Sequence, residues 1–324
     1  MTAVSGPSDI ARRAHRLVAL RARDRAGRRS VRREVLDATR GNALLRAGLA
    51  GSAPFLAARL GHVESDALLN HADIAAGAGA SPARRRLLAL AGRPTGWTPE
   101  VLRELPTNAG FFPAEPEAIE RFVAVYDAAI AAVDVLGTFH FPREHELWPR
   151  VPGALVAARA LEPYYAPEPW TAALAGRRVL VVHPFAASIA RQYARREELF
   201  ADPAVLPAFA LEAIPAVQTI AGNRAGFRDW FEALDHLRDA VAAREFDVAL
   251  IGAGAYGLPL AAHVKALGRQ AVHMGGATQI LFGIRGRRWD DHEIGRRFYN
   301  DRWVRASPDE TPARAELVED ACYW

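Results

Sequence analysis

Phe246–Gln279 reads FDVALIGAGAYGLPLAAHVKALGRQAVHMGGATQ. An apolar, partly β-branched run, Val248 to Ile251, stops at Gly252-Ala-Gly254-Ala-Tyr256-Gly257, and a helical pattern follows at once. After Gly268 a second strand-like run, Gln270–Met274, ends in another glycine turn, Gly275-Gly276. This is a strand–glycine turn–helix–strand unit with a crossover long enough for a parallel pair. Its glycines let backbone N–H groups close on a phosphate at a helix N-terminus, so a dinucleotide site is the first expectation.

The surrounding pattern sets that unit in a larger α/β fold. Pro54–Leu60 reads as a short strand that turns at Gly61 into a helix running to about Ala76. Residues 77–98 read as including a loop, and Thr107–Pro113 as turn chemistry. Glu115 or Glu117 opens an amphipathic helix with Ile119, Phe122, Val123, Tyr126 and Ile130 on one face. Asp134–Phe139 and Arg177–Phe185 read as strands, the second buried on both faces. A helix over Ala186–Phe200, a strand over Ala213–Ile220 and a helix over Gly226–Arg244 complete the pattern. The expectation is a Rossmann-like, doubly wound, mostly parallel sheet with helices on both faces and ligands at the carboxyl ends of its strands. Three regions are expected: an arginine-rich helical N-terminal arm over 1–50, the Rossmann-like domain over 51–290 with halves joined near 162–176, and a docked aromatic tail over 291–324. The arm, over residues 10–40, reads as a solvated helix packed by Ile10, Leu17, Val18, Leu20, Val31 and Leu36, or as a segment leaning on anionic headgroups.

Bulk composition narrows the function. The 324 residues are half apolar and carry a net charge of +4, with Lys265 the only lysine among 41 basic residues. That mild charge suits an anionic small molecule or an acidic lipid surface, and nucleic acid is not expected as a partner. The single Cys322 excludes an intramolecular disulfide, and no run of about 18 apolar residues is present to span a bilayer. Residues 1–35 lack the apolar stretch of a signal peptide. A cytoplasmic chain is expected, with peripheral contact at the inner face of the membrane as a further expectation.

The dinucleotide reading fails one test. Such a site needs an acid about 20 residues on to hold the ribose hydroxyls. Position 273, 21 residues after Gly252, is histidine, with no Asp or Glu beside it. What remains is a phosphate-friendly turn (Gly252, Gly254, Tyr256, Gly257) beside a second loop carrying His273, Gly275, Gly276, Thr278 and Gln279. The glycines alone also fit tight turns without a ligand. Arg285, Arg287 and Arg288 read either as phosphate partners or as a solvated loop. In the first half, Arg59-Leu-Gly61-His62-Val-Glu64 stands at a strand-to-helix turn. There Arg59 is placed to reach a phosphate and Glu64 to face the same cleft; the plainer reading pairs the two as an ion pair at a helix start.

Strand–Arg-x-Gly-x-x-Glu, followed late in the chain by strand–Gly-x-Gly–helix–Ala-x-His-x-Gly, resembles the GT-D type of bacterial glycosyltransferases over roughly residues 54–290. The chain is also similar to proteins of surface-polysaccharide clusters at TNAGFFP, LEPYY, VLVVHPF, WFEAL, FDVALIGAGAYGLPLAAHVK and HMGGATQILFGI. The resemblance implies transfer of a sugar from a nucleoside-diphosphate sugar, a UDP-sugar being favoured, to a glycan or lipid-linked acceptor. In that family an Asp-x-Glu pair holds a divalent cation against the diphosphate. The matching residues here are His62 and Glu64, so Glu64 is the candidate ligand for Mn²⁺ or Mg²⁺. Imidazole is a poor partner for Mg²⁺ and an acceptable one for Mn²⁺. A metal-free site would use Arg59, Arg285 and the glycine turns against the leaving diphosphate.

The acceptor hydroxyl needs a base. Glu64 and Glu146 are the leading candidates, with Glu144, His145 and Glu162 behind them. HFPREHELW (residues 140–148) matches no zinc template and reads as a surface charge cluster. Asn108 and His183 are expected to touch the nucleotide, with Ser188, Arg191, Gln192 and Tyr193 lining the same cleft. Two alternatives stay open: a non-catalytic nucleotide-binding or scaffold protein, and an NAD(P)-linked oxidoreductase.

Overall fold

Eight strands form one sheet in which every neighbouring pair is parallel. This architecture comes from a computed structural model, which describes residue 27 and residues 31–324. The strands are β1 (Val35–Leu36), β2 (Phe55–Arg59), β3 (Val135–Thr138), β4 (Ala154–Ala157), β5 (Arg178–Val182), β6 (Ala210–Ile214), β7 (Val248–Ile251) and β8 (Gln270–His273). Their order across the sheet is β1-β4-β3-β2-β8-β7-β5-β6. The Rossmann-like, doubly wound expectation is met.

Successive side chains of β7 show why the sheet is covered on both faces. Ala249 and Ile251 belong to one apolar core, Val248 and Leu250 to the other, and all four are fully buried. Side chains that alternate across a strand can do this only if both faces are packed. The first face carries α2 (His62–Gly77), α5 (Pro116–Ile130), α7 (Trp230–Ala242) and α8 (Gly257–Ala266), which contribute Leu68, Phe122, Trp230 and Leu260. The second carries α1 (Ala38–Ala50), α6 (Ala186–Tyr193) and α9 (Ala277–Leu281), through Leu45, Ile189 and Ile280. Short helices α3 (Pro82–Leu90) and α4 (Pro99–Glu104) lie between α2 and α5, and α10 (Arg287–Asp290) and α11 (Glu293–Phe298) follow α9. Helix starts follow local chemistry: Asp37 caps α1 by accepting from the Arg40 amide, Asp229 caps α7 by accepting from that of Glu232, and α5 opens on Pro116.

The stretch 162–176 connects β4 to β5, and so links the strands β1–β4 on one side of the sheet to β5–β8 on the other; the two sets meet where β2 pairs with β8, Leu56 opposite Ala271. The stretch itself is a run of turns anchored by the fully buried Trp170, whose amide donates to Asn42 Oδ1 on α1. Residues 1–26 and 28–30, most of the expected arm, lie outside the described residues. The described end of that arm is built into the sheet: Leu36 is in β1, and Arg33 Nη1 donates to the carbonyls of Trp148 and Val151. Helix α6 ends at Tyr193 rather than Phe200, β6 starts three residues earlier than expected, and α3 occupies part of the expected loop. The tail packs against the second core, with Trp303 buried there and β10 (Val304–Arg305) paired to β9 (Ile284–Arg285). Among the described residues no helix is long and apolar enough to cross a membrane.

Candidate functional site

Chain direction opens a crevice at the carboxyl ends of four strands. After β5 the chain enters α6 on the second face, and after β7 it enters α8 on the first. After β8 it enters α9 on the second face, and after β2 it enters α2 on the first. The neighbours β5, β7, β8 and β2 thus send their connections alternately to opposite faces, which is the condition for a ligand crevice in an open α/β sheet.

Two connected cavities fill it. The larger, about 650 Å³, is lined by Arg59, Gly61, His62, Glu64, His273, Gly275 and Arg288 among others. The smaller, about 100 Å³, lies over β5 and β7 and includes His183, Phe185, Gln218, Gly252, Tyr256 and Gln279. Asn108, Gly254, Gly276 and Tyr323 line both. The two motifs that stand far apart in sequence, Arg59–Glu64 and the glycine turns, therefore share one cleft.

Backbone geometry makes the larger cavity. Gly275 has φ +57°, and a Cβ on it would stand 2.6 Å from an Arg59 guanidinium nitrogen, so only glycine lets that side chain lie against the turn. The third glycine of the fingerprint, Gly257, has a different duty. A Cβ there would meet the His273 imidazole at 2.1 Å, so it secures close packing of α8 against the end of β8.

Arg59 is the outstanding charge. Its guanidinium sits 5.1 Å from the Phe139 ring centroid and makes no ion pair among the described residues. Burial pulls its pKa below the ordinary arginine value, while Tyr323 and Glu162 work against that shift. The expected Arg59–Glu64 ion pair does not form. Glu64 is 7% exposed, and burial raises its carboxyl pKa against the opposing pull of its own amide and of Arg59. A guanidinium and a carboxyl thus face one cavity with neither neutralised by a direct partner.

The two histidines are set as neutral groups of opposite sense. His183 Nδ1 accepts from the Phe185 amide at 3.0 Å, which leaves its proton on Nε2. His273 Nδ1 lies 3.2 Å from the Ile251 carbonyl, an acceptor only, which puts its proton on Nδ1. Burial pushes both pKa values down to about 3. His62 Nε2 lies 3.4 Å from Asp66 Oδ2, and its ring meets Phe141 in a T-shaped contact. Among the described residues no three His, Cys, Asp or Glu side chains converge.

Several expected site residues lie elsewhere. Arg285 sits over the Tyr299 ring and donates to the Asn300 carbonyl at 2.8 Å. Arg288, paired with Glu319 and 4.9 Å from the Tyr323 ring, lines the cavity instead. Ser188 bonds Glu310 of the tail, Gln192 donates to the Gly283 and Arg302 carbonyls, and Tyr193 donates to the Pro207 carbonyl before β6, so these side chains are spent on packing rather than on the cleft. Thr278 is fully buried beside Gly252 with an unpartnered hydroxyl. Tyr256 lines the small cavity, but its hydroxyl meets Thr219 Oγ1 at 2.7 Å and its ring stacks on Trp230. Tyr126, Phe139, Gln218, Thr219, Glu319 and Tyr323 complete the walls. Tyr126, on the inward face of its helix, and Tyr323, in the aromatic tail, carried a sequence signal only for packing.

Glu146 is off the cleft. It accepts from Arg143 Nε at 2.9 Å and Arg93 Nη2 at 3.1 Å, and both arginines also bind the fully buried carboxylate of Asp73. The expected surface cluster over residues 140–148 is thus a structural knot, with Glu144 buried and accepting from the Phe139 and Phe141 amides. Burial pushes the Glu146 carboxyl up, but Arg143 and Arg93 outweigh it and hold it below its usual range. Glu146→Gln is therefore expected to cost about 1 kcal/mol of stability, as for a partly exposed ion pair. Ligand affinity in the cleft should not change, and denaturant unfolding beside a binding titration checks both halves.

The chain matches no family model, no curated protein and no solved structure.

Proposed function

We propose that this chain is a glycosyltransferase that draws on a nucleoside-diphosphate sugar, UDP-linked by preference, and delivers the sugar to a glycan or lipid-linked acceptor. The single observation that carries the reading is Arg59, an unpaired guanidinium lying against the Gly275 turn inside a cleft between alternately directed strands. A diphosphate supplies the missing counter-charge, and an arginine can take it bidentately. As the bond from the sugar C1 to the diphosphate oxygen breaks, charge grows on that oxygen where Arg59 and the turn amides stand. The acceptor oxygen bonds to C1, and its proton passes to the Glu64 carboxylate. Glu64 stands as the candidate ligand for Mn²⁺ or Mg²⁺, with His62, whose Nε2 lies 3.4 Å from Asp66, in place of the aspartate of the family's pair. That same substitution favours the second reading, a nucleotide-binding scaffold without turnover. We place the protein on the cytoplasmic side, where the arginine-rich 10–40 segment would meet anionic headgroups.

Thermal unfolding with UDP, GDP, CMP, NAD⁺ and NADPH, each with and without Mn²⁺, tests the proposal, since a ligand of the folded state raises Tm by mass action. UDP is expected to raise Tm, and Arg59→Gln to abolish that rise. Losing a hydrogen-bonded charge pair of about 1.5–3 kcal/mol weakens affinity roughly tenfold to 150-fold. A shift with NADPH alone would sink the reading, whereas a UDP shift without donor hydrolysis selects the scaffold.

A further inference from the structure

Helix α3 projects from the fold. Pro82 to Leu87 and Leu90 are exposed, and Leu88 is the half-buried anchor, its Cδ1 3.8 Å from where a Cβ on Gly77 would stand. Gly79 (φ +70°) and Gly92 (φ +73°) bound the helix, each with open space where a side chain would project. Leu87 is 67% exposed and Leu90 85%, the two highest values for large apolar side chains among the described residues. Arg84, Arg85 and Arg86 run up to them and make no ion pair among the described residues. No acid stands between Asp73 and Glu100, whereas four arginines do, and of these Arg93 alone is paired, to Asp73 and Glu146. At 3.6 residues per turn Leu87 and Leu90 lie about 60° apart, with Arg86 about 40° beyond Leu90 and Arg84 about 60° beyond Leu87. An apolar strip edged by arginine on both sides is thus turned to solvent.

We propose that α3 docks on an anionic bilayer, lying in its surface with Leu87 and Leu90 among the acyl chains and Arg84 and Arg86 at the lipid phosphates. The order of groups around the helix is the order of groups across a membrane interface. Leucine fits the hydrocarbon, and the long arginine stems reach back to the headgroups. Other partners satisfy only part of this surface. Nucleic acid would pair the arginines and leave both leucines in water. A second copy of the same face would bring arginine against arginine, with no acid in the segment to pair them. Docking of this kind is independent of what the cleft binds.

Co-sedimentation of the full chain with lipid vesicles tests the docking. Vesicles of equal parts phosphatidylcholine and phosphatidylglycerol should bind it about tenfold or more tighter than phosphatidylcholine alone. Replacing both flanking arginines, Arg84→Gln with Arg86→Gln, should weaken binding to the anionic vesicles about thirtyfold, the combined contribution of two arginines near such a surface. Replacing both leucines, Leu87→Ser with Leu90→Ser, should weaken it by about tenfold or more. All four side chains are exposed, so both variants should unfold at the wild-type temperature, which thermal unfolding checks. Docking through α3 is wrong if the wild type binds neither kind of vesicle, or both equally. It is also wrong if the leucine variant binds as tightly as wild type, because the arginine-rich 10–40 segment would then hold the surface by charge alone. A wild-type dimer that binds no vesicle and that the leucine variant dissociates, seen by analytical ultracentrifugation, would make the strip an interface between copies instead.

Discussion

Glu64→Gln is expected to lower the proposed sugar transfer by roughly 10²–10⁴-fold, the usual contribution of a positioned general base, while making the protein more stable. Both effects have one cause. The carboxyl is 7% exposed, and burial raises its pKa because the cleft solvates the anion poorly. A carboxyl whose folded pKa lies above its unfolded value binds more protons folded than unfolded. Its stabilising contribution is thus present below the unfolded pKa and is lost as pH rises through the folded one. At neutral pH the ionised Glu64 is a burden on the fold, and the neutral amide of glutamine removes it. As a base, Glu64 works only when ionised, so the rate should climb with pH through that raised pKa. The acid limb of the pH profile then lies above the ordinary carboxylate range. Thermal unfolding and a pH series on wild type and Glu64→Gln check both effects. A variant that is less stable and equally active would remove Glu64 from the chemistry and leave it a structural role.

The core unit was readable from local chemistry because each of its parts is self-sufficient. Val248–Ile251 is a run apolar enough for burial on both faces, and Gly257 and Gly268 bound the helix between the two strands. The placement of Arg59 and Glu64 beside those turns was also legible, since residues at the ends of parallel strands meet wherever the sheet brings those ends together. Elements decided by distant partners were not. Ala154–Ala157 is four apolar residues with no distinguishing period, and it is a strand because β1 and β3 flank it. Arg285 and Arg288 are equivalent in sequence, but the β9–β10 pairing directs Arg285 to Asn300 and Tyr299 and leaves Arg288 for the cleft. Glu146 read as well as Glu64 for a base until Asp73 and Arg93, from separate segments, enclosed it in an ion-pair knot. Tyr323 reaches the cleft from the tail, where its sequence surroundings suggest only packing.

Trp230→Ala is expected to cost about 3–5 kcal/mol, the range for deleting a large buried aromatic side chain. The indole is fully buried, 5.7 Å from Phe111, 5.2 Å from Phe122 and 5.4 Å from Phe231 between ring centroids, and it stacks on Tyr256 at 5.1 Å. Its Nε1–H has no partner, so truncation sacrifices packing and no side-chain hydrogen bond. With an unfolding entropy of about 2.1 cal/mol/K per residue over 324 residues, that loss lowers Tm by roughly 4–7 °C. The damage should also reach the cleft. Tyr256 rests on the indole and holds Thr219 Oγ1 at 2.7 Å, and Thr219 in turn donates to the Gly110 carbonyl at 2.6 Å. That chain fixes the wall carrying Asn108 and Thr219, so UDP affinity should fall although residue 230 lines neither cavity. Trp230→Phe keeps an aromatic floor under Tyr256 and should recover most of the affinity while remaining less stable than wild type. Equal UDP affinity in Trp230→Ala and wild type, measured where both are folded, would show that the wall holds its shape without the stack and that Trp230 serves stability alone.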